Sequence, residues 1–215
     1  MRSFFFTFLT LTLLGLLSSG FVASALDADA ILKASKAKIQ AAKDFSADFT
    51  IQMNNPAMNR PVTQTGSFMY KDGMYTLKLD GQEVYCDKNK TWVYLEEVNE
   101  VEVSDYQPDE TETIESIFKL YETNSQPRYD GIENVNGAAC DKIFLAVKSK
   151  DLDYNQAFLY IDQKTKLPRK VTLIDRRQTR TSYIFSKMKT NQGLTAASFQ
   201  FNPKSYPGVS VIELD

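Results

Sequence analysis

Phe45-Ser46-Ala47-Asp48-Phe49-Thr50-Ile51-Gln52-Met53 alternates apolar and polar residues without a break. Successive side chains of an extended strand point to opposite faces, so the pattern is that of a strand with one buried face. Before it, Asp27 and Asp29 are N-cap candidates for a helix running to about Lys43. Ala28, Ile31, Leu32, Ser35, Ile39 and Ala42 form its apolar and small stripe, while Lys33, Lys36 and Lys43 fall on the solvated side. After the strand, Asn54 to Pro61 reads as a loop, and short strand-like runs follow in close order. They are Thr65 to Tyr70, Met74 to Leu79, Gln82 to Cys86, Thr91 to Leu95 and Val98 to Val103. Lys71-Asp72-Gly73 and Asp80-Gly81 have the composition of hairpin turns between them.

Pro108 interrupts this series. Glu110 to Tyr121 then places Ile114, Ile117, Phe118 and Tyr121 on one helical face, with acids in the first turn as the helix dipole favours. A second set of strands follows at Cys140 to Val147, Gln156 to Asp162, Lys170 to Asp175 and Thr181 to Lys189. Ala197 to Phe201 and Gly208 to Leu214 read as two further short strands. The spacing is that of an antiparallel meander, not of βαβ units. The expected fold is α+β and mainly β: about ten strands in one strongly curved antiparallel sheet, with helices covering its concave face.

The chain starts with a weakly positive Met1-Arg2, a predominantly apolar run from Phe4 to Leu17, and small residues at Ala23-Ser24-Ala25. This is the tripartite pattern of a cleaved signal peptide. Residues 1–25 are therefore expected to be removed and residues 26–215 to form one exported domain. The other role open to the run is an anchor helix, although it is short for a span of about 20 residues. Loss of Arg2 takes the formal charge from −2 to −3, which makes nucleic acid a poor partner. Export leaves two states open for Cys86 and Cys140: one disulfide, or two buried thiols.

The absent chemistry narrows function further. The chain has no His, so neither a Ser-His-Asp or Cys-His arrangement nor a His-based zinc site is available. No Cys-x-x-Cys pair and no phosphate-cradling glycine motif occurs, and no cofactor or metal is implied. A catalyst built from carboxylates alone is the only enzyme class that survives, and it ranks last. The acidic series Glu96, Glu97, Glu100, Glu102, Asp105, Asp109, Glu110, Glu112 and Glu115 reads as a solvated edge, with docking of a basic partner as the alternative. The basic series Lys164, Lys166, Arg169, Lys170, Arg176, Arg177 and Arg180 reads as an ordinary charged strand edge, or as a contact for anionic headgroups or an acidic partner.

In order and spacing, several pieces resemble the periplasmic outer-membrane lipoprotein carrier family, called LolA-like. They are Phe45-Ser-Ala-Asp-Phe49-Thr-Ile-Gln, Tyr85-Cys-Asp87-Lys-Asn-Lys90-Thr-Trp92-Val-Tyr94, Tyr160-Ile-Asp-Gln-Lys-Thr-Lys-Leu167-Pro with Thr181-Ser-Tyr183, and Phe199-Gln-Phe201-Asn-Pro203 followed by Tyr206-Pro-Gly208-Val-Ser-Val-Ile-Glu-Leu214. The resemblance implies an unclosed half-barrel with helices as a lid, whose apolar cavity takes the acyl chains of lipoproteins. It also implies a non-enzymatic periplasmic protein that carries lipoproteins from the inner to the outer membrane. Its partners would be acylated lipoproteins, an inner-membrane releasing transporter and an outer-membrane acceptor, with the carrier itself a monomer. A non-enzymatic lipid- or lipoprotein-sensing domain on the same fold is the alternative.

Carried over residue by residue, Tyr75 and Leu77 match the family's cavity-lining strand, and Trp92 and Tyr94 match its Trp-x-Tyr strand. Alternation adds Phe49, Ile51 and Phe68 as lining candidates; plain core packing is the other role open to each. Ile114, Ile117 and Phe118 fit the inner face of that lid, or simply the core stripe of their own helix. Lys71 stands where the family commonly has a lid-holding arginine, and a lysine lacks that residue's planar fork.

Overall fold

A computed structural model describes residues 27–58, 60–107, 126–148 and 152–214. Helix α1 (Ala28–Gln40) begins where the side chain of Asp27 accepts from the Asp29 amide, as expected of an N-cap. It buries Ala28, Ile31, Leu32 and Ser35. The chain then forms β1 (Phe45–Asn54), β2 (Val62–Lys71), β3 (Met74–Leu79), β4 (Gln82–Cys86), β5 (Lys90–Leu95) and β6 (Glu100–Asp105). Beyond the second interval come β7 (Arg128–Val135), β8 (Ala138–Ala146), β9 (Tyr154–Asp162), β10 (Pro168–Asp175), β11 (Arg180–Thr190) and β12 (Ser210–Glu213).

All twelve strands belong to one curved, unclosed sheet in the order β12-β6-β5-β4-β3-β2-β1-β11-β10-β9-β8-β7. Two meanders are joined where β1 pairs with β11, Phe49 opposite Phe185 and Ile51 opposite Tyr183. Every pairing is antiparallel except β12 on β6.

Three expectations are corrected. There are twelve strands rather than about ten. The additional β7 carries Arg, Asp, Glu and Asn on an exposed edge and has a register shift between Tyr129 and Ile132, so it shows no apolar alternation. Ala197 to Phe201 is not a strand. A 3-10 turn at Ala196–Phe199 followed by extended Gln200 buries Phe199 and Phe201, which mimics strand spacing. The closing strand is parallel to its neighbour, because the chain crosses the sheet before reaching the edge. Among the described residues α1 is the only α-helix; the helix expected over Glu110 to Tyr121, with Ile114, Ile117 and Phe118, lies outside them.

The two faces of the sheet are packed differently. On one, α1 lies over Ala47, Phe49, Ile143, Leu145, Ala157, Leu159, Ile161, Val171 and Phe185, which form the main core. On the opposite face, residues 191–209 run as a strap past β1 and β2 and then over β3 to β6. Thr76 Oγ1 donates to Ser198 O at 2.7 Å and Gln200 Nε2 to Asp87 Oδ2 at 2.9 Å. Phe201 and Tyr206 pack on Tyr85, Tyr94, Val101 and Val103. Asn99 Nδ2 donates to Pro207 O, and the Ser210 amide donates to Asn99 O as β12 begins.

Gly66 in β2 exists for close approach. A methyl group there would lie 2.3 Å from Lys78 O and 2.6 Å from the tip of the Phe49 ring. Gly66→Ala is expected to lower stability by about 1–3 kcal/mol, as overpacking against backbone does, read as a reduced urea midpoint with an unchanged slope.

Candidate functional site

Register decides which expected lining residues share a surface. Phe68 stands opposite Ala47 and Leu77, and Leu77 stands opposite Val84, which stands opposite Val93. Directly opposed side chains lie on one face. Phe49, Ile51, Phe68 and Leu77 therefore share the α1 face, and all four belong to the main cluster. Tyr75 shares this parity, opposite Tyr70 and Cys86. The rings of Phe45, Phe68 and Tyr70 sit together, with Phe45 centroids 5.6 and 5.4 Å from the other two.

Trp92 and Tyr94 do not join them. Trp92 opposes Tyr85, one residue out of phase with the row through Leu77, so both point to the strap face. Tyr94 stacks on Phe201 at 5.8 Å and lies 4.4 Å from the Tyr206 ring, and Trp92 packs against the same cluster. The residues missed on the α1 face are Leu79, Val84 and Val93, with Leu173, Tyr183 and Met188 from the other meander. Counting register through the Asp72-Gly73 and Asp80-Gly81 turns reaches Val84 and Val93 and assigns Trp92 to the other side.

The α1 face is apolar but incompletely closed among the described residues. Phe68, Tyr70, Tyr75, Leu77, Leu79, Val84 and Val93 are each only partly buried. Near the end of α1, a shallow cleft is lined by Ile39, Ala42, Phe45, Leu167, Met188 and Thr190. Such a surface has little to offer a polar or charged substrate and much to offer hydrocarbon, at about 0.8 kcal/mol per methylene buried. Cys86 and Cys140 are free, fully buried thiols in opposite halves of the sheet. Burial raises both, Cys140 to about 11, so neither is a thiolate at neutral pH. No group of acids or cysteines among the described residues is arranged to hold a metal ion.

Lys71 is engaged with the strap: its Nζ donates to Leu194 O. Beside it, buried Asp44 accepts the amides of Gln192, Gly193 and Leu194 at 2.6, 2.9 and 2.9 Å. Burial alone would raise the Asp44 carboxyl, but the three amides and the nearby Lys71 charge outweigh it and hold it below the usual range. Asp162 is lowered in the same manner: the amides of Thr165 and Lys164 and the Arg169 guanidinium overcome its burial. On the strap face, Glu83 Oε2 accepts from Lys78, Tyr85 and Tyr206, and these bonds overcome burial to lower Glu83. Burial and the Glu83 bond push the Tyr85 phenol up to about 12.

These shifts predict the acid response. A carboxylate lowered by folding stabilises the native state above its unfolded pKa of about 4, and that contribution disappears as pH falls through the native value. The urea midpoint is expected to fall steeply below about pH 4 while changing little between about pH 5 and 7. A flat profile down to pH 3 would show that Asp44, Asp162 and Glu83 are not held as described.

The geometry defines a class first: an open sheet whose α1 face is apolar and partly uncovered, locked from behind by its own C-terminal segment. The family model for the outer membrane lipoprotein carrier protein LolA matches residues 40–202, and the chain belongs to that family. An uncharacterized conserved protein from Thermus thermophilus has a similar fold, with a TM-score of 0.57 at 14% identity over 87% of this chain and 99% of that one. Lipoprotein LppX of Mycobacterium tuberculosis aligns with a TM-score of 0.47 at 13% identity, covering 79% of this chain and 100% of that one. A LolA superfamily protein from Nitrosomonas europaea aligns with a TM-score of 0.42 at 12% identity, covering 82% and 99%. No curated protein matches the chain significantly.

Proposed function

We propose that this protein is an exported, non-enzymatic lipoprotein carrier. It holds acyl chains on the α1 face and passes lipoproteins from the inner to the outer membrane. Membership of the LolA family over residues 40–202 carries the reading. The partly buried apolar row through Phe68, Leu77, Val84 and Val93 supports it physically. An acyl chain exposed to water costs about 0.8 kcal/mol per methylene, so a carrier needs an extended apolar face but no catalytic base. Phe49, Ile51, Phe68, Tyr75 and Leu77 are the lining residues proposed here. Ile114, Ile117 and Phe118 remain the proposed inner face of a lid. Residues 1–25 are proposed as the cleaved signal, which places the mature chain in the periplasm. A releasing transporter, an acceptor and a monomeric carrier complete the proposal.

The test is displacement of an environment-sensitive apolar dye from the mature chain by a triacylated lipopeptide, with the unacylated peptide as control. Saturable displacement by the acylated form alone is expected. Equal effects of the two peptides, or no dye binding, would remove the acyl-binding reading.

A further inference from the structure

One end of the sheet joins two features that are far apart in sequence. The β1–β2 connection stands beyond the sheet's body, because β3 stops at Leu79 opposite Gly66 and leaves Val62 to Thr65 without a β3 partner. Those four residues are exposed. Large apolar side chains are nonetheless placed there: Met53 and Val62, a directly opposed pair, are 39% and 53% exposed, and Met58 in the connection is 52% exposed. Pro56 and Pro61 flank Met58 and have no amide hydrogen for edge-to-edge strand pairing.

The exposed charged side chains of the tip and of the turn beside it are all arginines, with exposed Asp80 in the β3–β4 turn and exposed Asp153 before β9 as the flanking acids. Asn54 at the end of β1 pairs with Arg180, which brings the β10–β11 turn alongside. Arg60, Arg176, Arg177 and Arg180 are all exposed. No acid occurs between Ile51 and Gly66. The carboxylate within the β10–β11 turn, Asp175, is turned inward onto the amides of Arg177 and Thr179. The acidic Glu96-Glu97 turn stands at β5, four strands from β1, about 19 Å away and roughly two Debye lengths at physiological salt. Other members of the basic series are engaged elsewhere: Arg169 pairs with Asp162 and Lys170 with Glu133.

From this arrangement we infer that the β1–β2 tip and the β10–β11 turn form a docking end for a bilayer surface rich in anionic phospholipid. A projecting apolar tip with guanidinium groups beside it matches a flat lipid surface, with arginines on phosphates and flexible methionine side chains seated among the headgroups. The inference concerns the end of the sheet beyond Ile51 and stands whether or not the α1 face carries cargo.

The test is co-sedimentation of the chain from Leu26 onward, which contains α1 and the whole sheet, with cargo-free vesicles. One set is phosphatidylcholine and the other contains added phosphatidylglycerol. Binding is expected only to the second set, and is expected to weaken as salt is raised. Both the Met58→Asp variant and the paired Arg176→Glu, Arg177→Glu variant are expected to weaken it about tenfold or more, with unchanged far-ultraviolet circular dichroism. Absence of binding to both sets, equal binding to both, or binding that neither variant changes would overturn the inference. Sensitivity to the arginine changes alone would overturn the seating of Met58.

Discussion

Phe199→Ala is expected to destabilise the protein by about 3–5 kcal/mol and to loosen the C-terminal strap while leaving α1 in place. Phe199 is fully buried although it lies in a 3-10 turn, not in a strand or long helix. Its neighbour Ser198 receives the Thr76 hydroxyl, and Phe201 two residues later sits edge-on to Tyr85 at 5.9 Å. A cavity at Phe199 removes apolar contact at the point where the strap meets β3. The loss is read first as a reduced urea midpoint. Amide exchange then localises it: β12 and residues 196–209 are expected to lose protection before β8 to β10, whose core is built on the other face. Uniform loss of protection would show that the strap and the α1 core unfold as one unit.

Leu77→Asp is the second large effect, expected on ligand binding. Leu77 lies on the α1 face between Phe68 and Val84, and a carboxylate there faces hydrocarbon with no partner supplied. Binding of the triacylated lipopeptide is expected to fall by about two orders of magnitude, with the β-sheet spectrum retained. Trp92→Ala is the discriminating control. Trp92 packs in the strap cluster, so its loss is expected to lower stability and leave lipopeptide affinity nearly unchanged. It is also the only tryptophan, so its fluorescence reports the strap rather than direct contact with cargo. Equal loss of binding in the two variants would place the ligand on neither face specifically, and would return Trp92 and Tyr94 to the lining.

Much of the architecture was legible because local physics decides it. Nine alternating residues at Phe45 to Met53 can bury one face only as a strand, and the observed β1 begins at Phe45 and ends at Asn54. Met74 to Leu79 and Gln82 to Cys86 were bounded correctly by Asp-Gly turns, where Asp72, Gly73 and Gly81 adopt positive φ. Asp27 was legible as the cap of α1 for the same local reason. By contrast, β7 was hidden by its polar, bulged sequence. The 3-10 turn at Phe199 has the sequence signature of a strand because both can bury residues two apart.

The candidate site was only half legible. Alternation identifies which residues of one strand share a side, but carrying that side to a neighbouring strand requires the pairing register. Family resemblance joined Tyr75 and Leu77 to Trp92 and Tyr94. The pairings Leu77–Val84–Val93 and Tyr85–Trp92 separate them by one residue, and one residue is one face. The sequence by itself determined most of the strands and their turns, the cap of α1 and the lack of histidine chemistry, since each depends on neighbours along the chain. Only the tertiary structure decided the parallel closing strand, the strap held by Asp44 and Lys71, the two free thiols, and which aromatic rings look toward α1. Those features depend on contacts between residues as much as 150 positions apart, as between Asp44 and Leu194, and no local pattern encodes which partner is met.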